Sequence, residues 1–288
     1  MKKVLVTGAM GTIGNHVISE LLKYDVRIIA SSIEGSVPSG ARAWADSPKV
    51  RYIGHDISRR ENQIFRKLDK PDIMIHLAWG GLPDYGNMVH LEKGLFDSYY
   101  FAKQMIEEGL GELTVAGTCF EYGLKNGPLS EEMETSPVMP YALAKDTLRK
   151  FMEELRKKRE FGFKWLRIFY LTGKGLRKES LLSKLDEAIA KGDKVFKMSP
   201  GDQLRDFLPV ETLSEYICKI ALSGYFSGVV NCGSGKPVSV RRLVEDHLKA
   251  QKKSVELRLG YYPYSAYEPM AFWADTRRLE SILGKFKR

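Results

Sequence analysis

Cysteine is scarce in this chain of 288 residues, with only Cys119, Cys218 and Cys232 present. An odd number, widely spaced and without a CxxC pair, argues for a reducing compartment and against a structural disulfide. The five histidines, His16, His55, His76, His90 and His247, share no zinc-ligand spacing with each other or with the cysteines, which speaks against a metal site. Long apolar runs are missing as well, and nothing approaches the roughly 18 residues of a membrane span. The opening Met1, Lys2 and Lys3 imitate a signal peptide, but Thr7 and Gly8 end the apolar run too early for one. A cytoplasmic location without membrane contact is expected.

Charge is present but unpatterned. The 45 Lys and Arg outnumber the 36 Asp and Glu, giving a net charge of +9 that favours anionic partners without naming one. The densest basic run, residues 156–159, closes an amphipathic helix, where cations suit the negative end of the dipole. Aromatic and basic residues are not interleaved, so a nucleic-acid partner is not expected. No internal repeat, low-complexity stretch or flexible linker occurs.

What is present is a strong alternation. Short β-branched or aliphatic runs at residues 4–6, 26–30, 50–53, 73–77, 113–116 and 165–169 are separated by helical patterns such as 15–23 and 95–108. Near-continuous apolar strands alternating with helices are the pattern of a parallel sheet covered on both faces. The expectation is an α/β, doubly wound parallel sheet of the Rossmann type over residues 1–170. Beyond Phe169 the alternation weakens and Gly and Pro become more frequent, so residues 171–288 read as a smaller mixed C-terminal lobe interleaved with the first. Helices are expected there at 213–222 and at 240–250, the second capped by Ser239.

Two local patterns carry chemistry. Gly8, Gly11, Thr12, Ile13 and Gly14 follow the first strand and lead into the first helix, the context in which a glycine-rich turn holds a pyrophosphate against free N–H groups. Tyr141 and Lys145 stand four residues apart just after Pro140, on one face of a helix. A lysine ammonium beneath the phenol would favour the phenolate and turn Tyr141 into an acid/base.

The glycine spacing is GxxGxxG, and with it the chain resembles the extended branch of the short-chain dehydrogenase/reductase superfamily along nearly its whole length. Matching landmarks are Asp56 and Ile57, His76 with Leu77, Ala78 and Trp79, Thr118 four residues before Tyr122 and Gly123, Arg167 to Tyr170, Arg205 to Phe207, and Asn231 to Gly235. The resemblance implies a catalytic set of Thr118, Tyr141 and Lys145. It implies cofactor contacts from the glycine loop, Asp56, Ile57, Leu77, Ala78, Trp79, Tyr141 and Lys145. Asp56 could equally cap the next segment, His76 could be a satisfied strand-end histidine, and Arg205 with Asp206 could be a surface ion pair.

An acid at the end of the second strand would bond the adenosine ribose and reject a 2′-phosphate. Here Ser31 and Ser32 stand there, with no carboxylate before Glu34, so NADP(H) is favoured and NAD(H) remains the alternative. The family acts on nucleotide-diphosphate sugars, usually at C4. Dehydratases of this kind carry acids where this chain has Cys119 and Phe120, and Glu121, one place later, would point away if the segment were a strand. The expected reaction is reduction of the C4 keto group of a nucleotide-linked 4-keto-6-deoxy sugar for lipopolysaccharide or capsule precursors. The alternatives are a 4-epimerase with tightly held NAD and an idle NADP(H)-binding sensor or scaffold.

Substrate contacts implied by the resemblance are Ser180 and Leu181 for the nucleotide, Arg205 for the diphosphate, and Tyr85, Cys119, Glu121 and Tyr170 nearer the sugar. Tyr85 could instead be a packed loop aromatic. Departures from the family pattern are Leu95 to Ser98 and Tyr170, where relatives often have Asn. A homodimer paired through helices at 95–108 and 142–155 is also implied.

Overall fold

The computed structural model describes residues 1–37, 42–176 and 178–286. The chain begins β1 (Lys2–Thr7), α1 (Thr12–Leu21), β2 (Val26–Ser32), β3 (Val50–Gly54), α2 (Ile64–Lys67), β4 (Ile73–His76), α3 (Leu95–Glu107) and β5 (Glu112–Thr118). It continues through β6 (Gly127–Leu129), α4 (Pro140–Arg156), β7 (Gly162–Ile168), β8 (Tyr170–Thr172), α5 (Leu181–Lys191), β9 (Val195–Lys197) and β10 (Leu204–Pro209). The last elements are α6 (Val210–Leu222), β11 (Gly228–Cys232), β12 (Pro237–Ser239), α7 (Val240–Gln251), β13 (Glu256–Arg258), β14 (Phe272–Ala274) and α8 (Arg277–Lys285).

Seven strands form one parallel sheet in the order β11-β7-β5-β4-β1-β2-β3. Successive side chains of a strand face opposite sides. Val4, Val6, Ile28 and Ala30 accordingly pack beneath α1, α6 and α8, whereas Leu5, Ile29 and Met74 pack beneath α3 and α4. Both faces are covered, which is why these strands read as unbroken apolar runs. This is a Rossmann fold. Its strand order reverses between β1 and β4, and the crevice for a ligand opens there, at the carboxyl ends of the strands.

The edge strand β11 and helix α6, which packs on α1, come from beyond residue 170, so the second half of the chain completes the large sheet. The other strands of the second half form three small sheets, β12-β10-β8, β13-β9 and β14-β6, the last recruiting β6 from the first half. Ser239 caps α7, its hydroxyl accepting from the Arg242 amide at 3.1 Å. Among the described residues no helix is long and apolar enough to cross a membrane.

Candidate active site

The glycine loop has the geometry its sequence demands. Gly8 sits at φ +70, and a Cβ there would lie 2.9 Å from the backbone nitrogen of Ala78. At Gly14 a Cβ would come 2.2 Å from the Gly8 carbonyl oxygen, so only glycine lets α1 start so close to the turn. The first turn of α1 has neither a side-chain cap nor an acid. Its N–H groups and positive dipole end therefore face the loop unneutralised, which suits a pyrophosphate. Met10 accepts a 2.9 Å hydrogen bond from Arg42 Nη2, and Thr12 Oγ1 donates to the Gly175 carbonyl at 2.5 Å. Ile13 packs against the core.

At the end of β2, Ser31 is buried and its carbonyl accepts from Ala9, with Ser32 following at the surface side of the register. Asp56 uses one carboxylate oxygen to accept from the Ser58 amide at 2.9 Å, the capping role that its sequence also allowed. That bond holds its pKa below the ordinary value. Ile57 packs at the core edge.

Thr7 and His76 tie β1 to β4. Thr7 Oγ1 lies 2.8 Å from His76 Nδ1 and accepts from the Leu77 and Ala78 amides. Its own hydroxyl proton must then go to Nδ1, leaving the imidazole proton on Nε2. Burial drives the His76 pKa down to about 3, helped by the Lys145 charge, so this ring is a neutral clamp on the Leu77–Ala78 turn.

Tyr141 lies in the first turn of α4, with Pro140 starting the helix. Its ring packs against Trp79, Tyr85 and His90, with centroids 6.0, 5.3 and 5.2 Å away. Lys145 is buried. Its Nζ donates to the Ala116 carbonyl at 2.8 Å and rests 3.8 Å from the centroid of the Trp79 ring, while the Tyr141 ring centroid is 6.0 Å away. The ammonium is therefore beside the phenol and seated on an indole, rather than directly beneath the phenol as the spacing alone suggests. Burial lowers its pKa to about 7, with the Glu121 carboxylate acting in the opposite sense. Trp79 is fixed in turn, its Nε1 donating to His90 Nδ1 at 3.1 Å, and His90 Nε2 reaches the Asp84 carbonyl at 2.7 Å.

Thr118 ends β5, which places its hydroxyl at the carboxyl edge of the sheet. Residues Cys119–Tyr122 form a 3-10 turn, not a continuation of the strand. Thr118 Oγ1 accepts from the Phe120 amide at 3.3 Å, and Glu121 reaches back to accept the Thr118 amide at 2.9 Å. Glu121 is fully buried, bonded also to Trp165 Nε1 and to Arg167 Nε at 2.8 Å. Its expected contact with a sugar is thus corrected: all of its named partners lie in the protein interior. Cys119 is corrected likewise. It is 4% exposed, packs with Tyr122, Leu129, Phe169 and Phe272, and burial pushes its thiol pKa up.

An aromatic series leads away from Tyr141. Tyr85 is 5.6 Å from Phe120, Phe120 is 5.9 Å from Tyr170, and Tyr170 is 5.8 Å from Phe207. Tyr85 is both a packed loop aromatic and a neighbour of Tyr141, and its carbonyl accepts the Tyr141 amide at 3.1 Å. Burial holds the Tyr170 phenol far above its ordinary pKa.

Arg205 lies over the Phe272 ring at 4.8 Å and pairs with Glu268 at 2.8 Å, while Asp206 accepts from Ser234, Gly235 and Ala274. Both are buried. The alternative of a surface pair between them does not hold. Ser180 uses its hydroxyl to cap α5, accepting from the Ser183 amide at 3.3 Å, and Leu181 packs against the cluster of Leu185, Phe196 and Leu248.

A phosphate cradle at the switch point, with a Tyr and a Lys on a helix beside it, defines a nicotinamide-dependent enzyme of oxidoreductase type. The chain belongs to the NAD dependent epimerase/dehydratase family, whose model matches residues 4–233. It is 29% identical over 271 residues to a dTDP-6-deoxy-L-talose 4-dehydrogenase (NAD(+)) of Aggregatibacter actinomycetemcomitans, covering 94% of this chain and 98% of the relative. A dTDP-4-dehydro-6-deoxyglucose reductase of Escherichia coli is 24% identical over 269 residues, 88% of this chain and 83% of that one. Among solved structures, a UDP-N-acetylglucosamine 4-epimerase from Methanobrevibacter ruminantium M1, in complex with UDP-N-acetylmuramic acid, superposes with TM-score 0.86 at 22% identity, covering 99% of this chain and 92% of that one.

Proposed function

We propose that this protein reduces the C4 keto group of a nucleotide-linked 4-keto-6-deoxyhexose, with NADPH preferred over NADH. One observation carries the reading. Thr118, Tyr141 and Lys145 gather at the carboxyl ends of β4 and β5, next to an aromatic flank in which Phe120 and buried Cys119 stand where a dehydratase needs acids.

The reduced nicotinamide supplies a hydride when bound. The residues of the chain do the rest. Thr118 has its oxygen's acceptor side engaged by Phe120, so its proton is free to bond the substrate C4 oxygen. Tyr141 gives that oxygen its phenolic proton as charge develops on it. Lys145, held by Ala116 and Trp79, stabilises the phenolate left behind. Arg205 would take the substrate diphosphate only in exchange for Glu268, since its buried guanidinium already bonds that carboxylate and the Leu204 and Met270 carbonyls. The half-buried aromatic series between Arg205 and Tyr141 suits a sugar edge that ends in a methyl group.

The cofactor preference rests on the absence of a carboxylate at Ser31 and Ser32 and on the Arg42 guanidinium beside the loop at Met10. Tighter binding of NADH in a direct titration would reverse it. A 4-epimerase is the second reading, favoured by the fold shared with an epimerase. A homodimer formed through α3 and α4 is supported by the exposed Phe96, Tyr100, Leu143 and Phe151 on those helices. The deciding experiment incubates the protein and NADPH with a panel of nucleotide 4-keto-6-deoxyhexoses. Stoichiometric NADPH loss supports the reductase, and interconversion of C4 epimers without net loss rejects it.

A further inference from the structure

We propose that Glu121 is a positioning residue for the reduction: by accepting the backbone proton of Thr118 it holds the Thr118 hydroxyl in its productive orientation. The inference rests on the proposed role of Thr118 at the C4 oxygen.

Glu121 is an unusual group to find in the core. It is fully buried, one oxygen accepting from the Thr118 amide and from Trp165 Nε1, each at 2.9 Å, and the other from Arg167 Nε at 2.8 Å. Burial lifts its pKa while Arg167 pulls it back, and the guanidinium stays protonated. Arg167 is itself held, 4.4 Å over the Tyr122 ring, and the Tyr122 hydroxyl donates to Asn231 Oδ1 at 2.7 Å. The carboxylate therefore rests on a frame drawn from β7 and β11, two strands that no substrate contact requires to move.

This frame acts on the strand end that the chemistry uses. Thr118 is extended, at φ −147 and ψ 147, and the next residue turns sharply into the 3-10 segment. Two reciprocal bonds hold that corner: Glu121 takes the Thr118 amide, and the Thr118 hydroxyl oxygen takes the Phe120 amide. The second bond decides where the hydroxyl proton points, and the first keeps the corner from unwinding. The neighbouring Gly117 leaves the room required, since a Cβ there would lie 2.6 Å from Glu121 Oε1 and 2.2 Å from Trp165 Nε1. One residue earlier, the Ala116 carbonyl receives Lys145 Nζ. The same short strand end thus seats two of the three residues proposed for catalysis.

Removing Glu121 alone would strand the buried Arg167 charge, so paired variants separate positioning from stability. Glu121→Met with Arg167→Met replaces the ion pair by apolar side chains and leaves the Thr118 amide without its acceptor. Glu121→Gln with Arg167→Met also lacks the ion pair but keeps an amide oxygen for Thr118. On the nucleotide 4-keto-6-deoxyhexose that the wild type turns over, the Met/Met variant is expected to lose about tenfold or more in kcat, since small misplacements at a reacting centre are costly. Its KM and NADPH dissociation constant should stay within about twofold, as an effect confined to the transition state requires.

The Gln/Met variant should recover most of kcat. Adding Thr118→Ala to the Met/Met variant should cost little more than Thr118→Ala alone, because the two act as one unit. Equal kcat for folded Met/Met protein and wild type, or equal losses in both paired variants, would overturn the inference. A wild type that turns over no member of the sugar panel would reject the functional reading itself, a result distinguishable from either.

Discussion

The ammonium of Lys145 rests 3.8 Å from the centroid of the Trp79 indole, inside the protein and hydrogen-bonded to the Ala116 carbonyl at 2.8 Å. Burial is the larger influence on it and brings its pKa down to about 7. Replacing Trp79 by Ala admits water beside the ammonium and relieves the desolvation. If turnover needs the cation, kcat/KM falls as pH rises through about 7 in the wild type. In the Trp79→Ala variant that alkaline limb should move upward. A pH profile of kcat/KM for both proteins checks this, and coincident limbs would contradict it.

The same burial affects stability. The unfolded chain holds its lysine proton to pH about 10.4, whereas the folded protein releases it near 7. Between those values the unfolded state binds more protons, so the stability linked to Lys145 rises with pH. Lys145→Met removes the buried cation altogether. Its melting temperature should exceed that of the wild type near pH 6 and approach it near pH 10. A difference independent of pH would show that Lys145 is not the titrating group.

Tyr141→Phe keeps the ring between Trp79, Tyr85 and His90 and deletes only the phenolic proton. The expected loss in kcat is about 10²- to 10⁴-fold, the usual scale for a general acid. NADPH affinity should stay within about twofold, because the phosphate cradle is elsewhere. Turnover and titration measured on the same preparation check both. Retained turnover would show that Tyr141 is not the general acid.

Arg205 is held by Glu268 at 2.8 Å, so a substrate diphosphate must compete with a carboxylate for the guanidinium. Glu268→Gln weakens that competitor and should lower the substrate KM severalfold. Arg205→Met should raise KM about tenfold, since charge-assisted bonds are the strong ones. Steady-state kinetics on both variants suffice. Unchanged KM in both would remove Arg205 from the diphosphate site.

The parts legible in the sequence are those governed by local physics. Strands β1, β2 and β4 could be read because both of their faces are covered and their central residues, Val4–Val6, Ile28–Ala30 and Ile73–Ile75, are apolar. Gly8 and Gly14 could be read because a Cβ at either would collide with backbone. Tyr141 and Lys145 share a helix, and their spacing shows it. The partners that set the electrostatics were out of reach for the opposite reason. Arg167 is 46 residues from Glu121 and Glu268 is 63 from Arg205. Only the sheet and its small satellites bring them together.

His90 gave no signal of its own. Its position under Trp79 and against Tyr141 depends on a π-type turn, His90–Gly94, just before α3. The direction of Glu121 could not be read from strand alternation, because the segment after Thr118 is a 3-10 turn that folds its carboxylate back onto the Thr118 amide.

The central claim is hydride delivery to C4 with protonation of the oxygen by Tyr141. It is tested most directly by one turnover with NADPH deuterated at the transferable position of the nicotinamide, followed by NMR of the sugar product. The account predicts deuterium bonded to C4 of a 6-deoxyhexose nucleotide, with none in the Tyr141→Phe reaction over the same time. Deuterium retained on the cofactor while C4 epimers interconvert, or delivered to any other carbon, would contradict it.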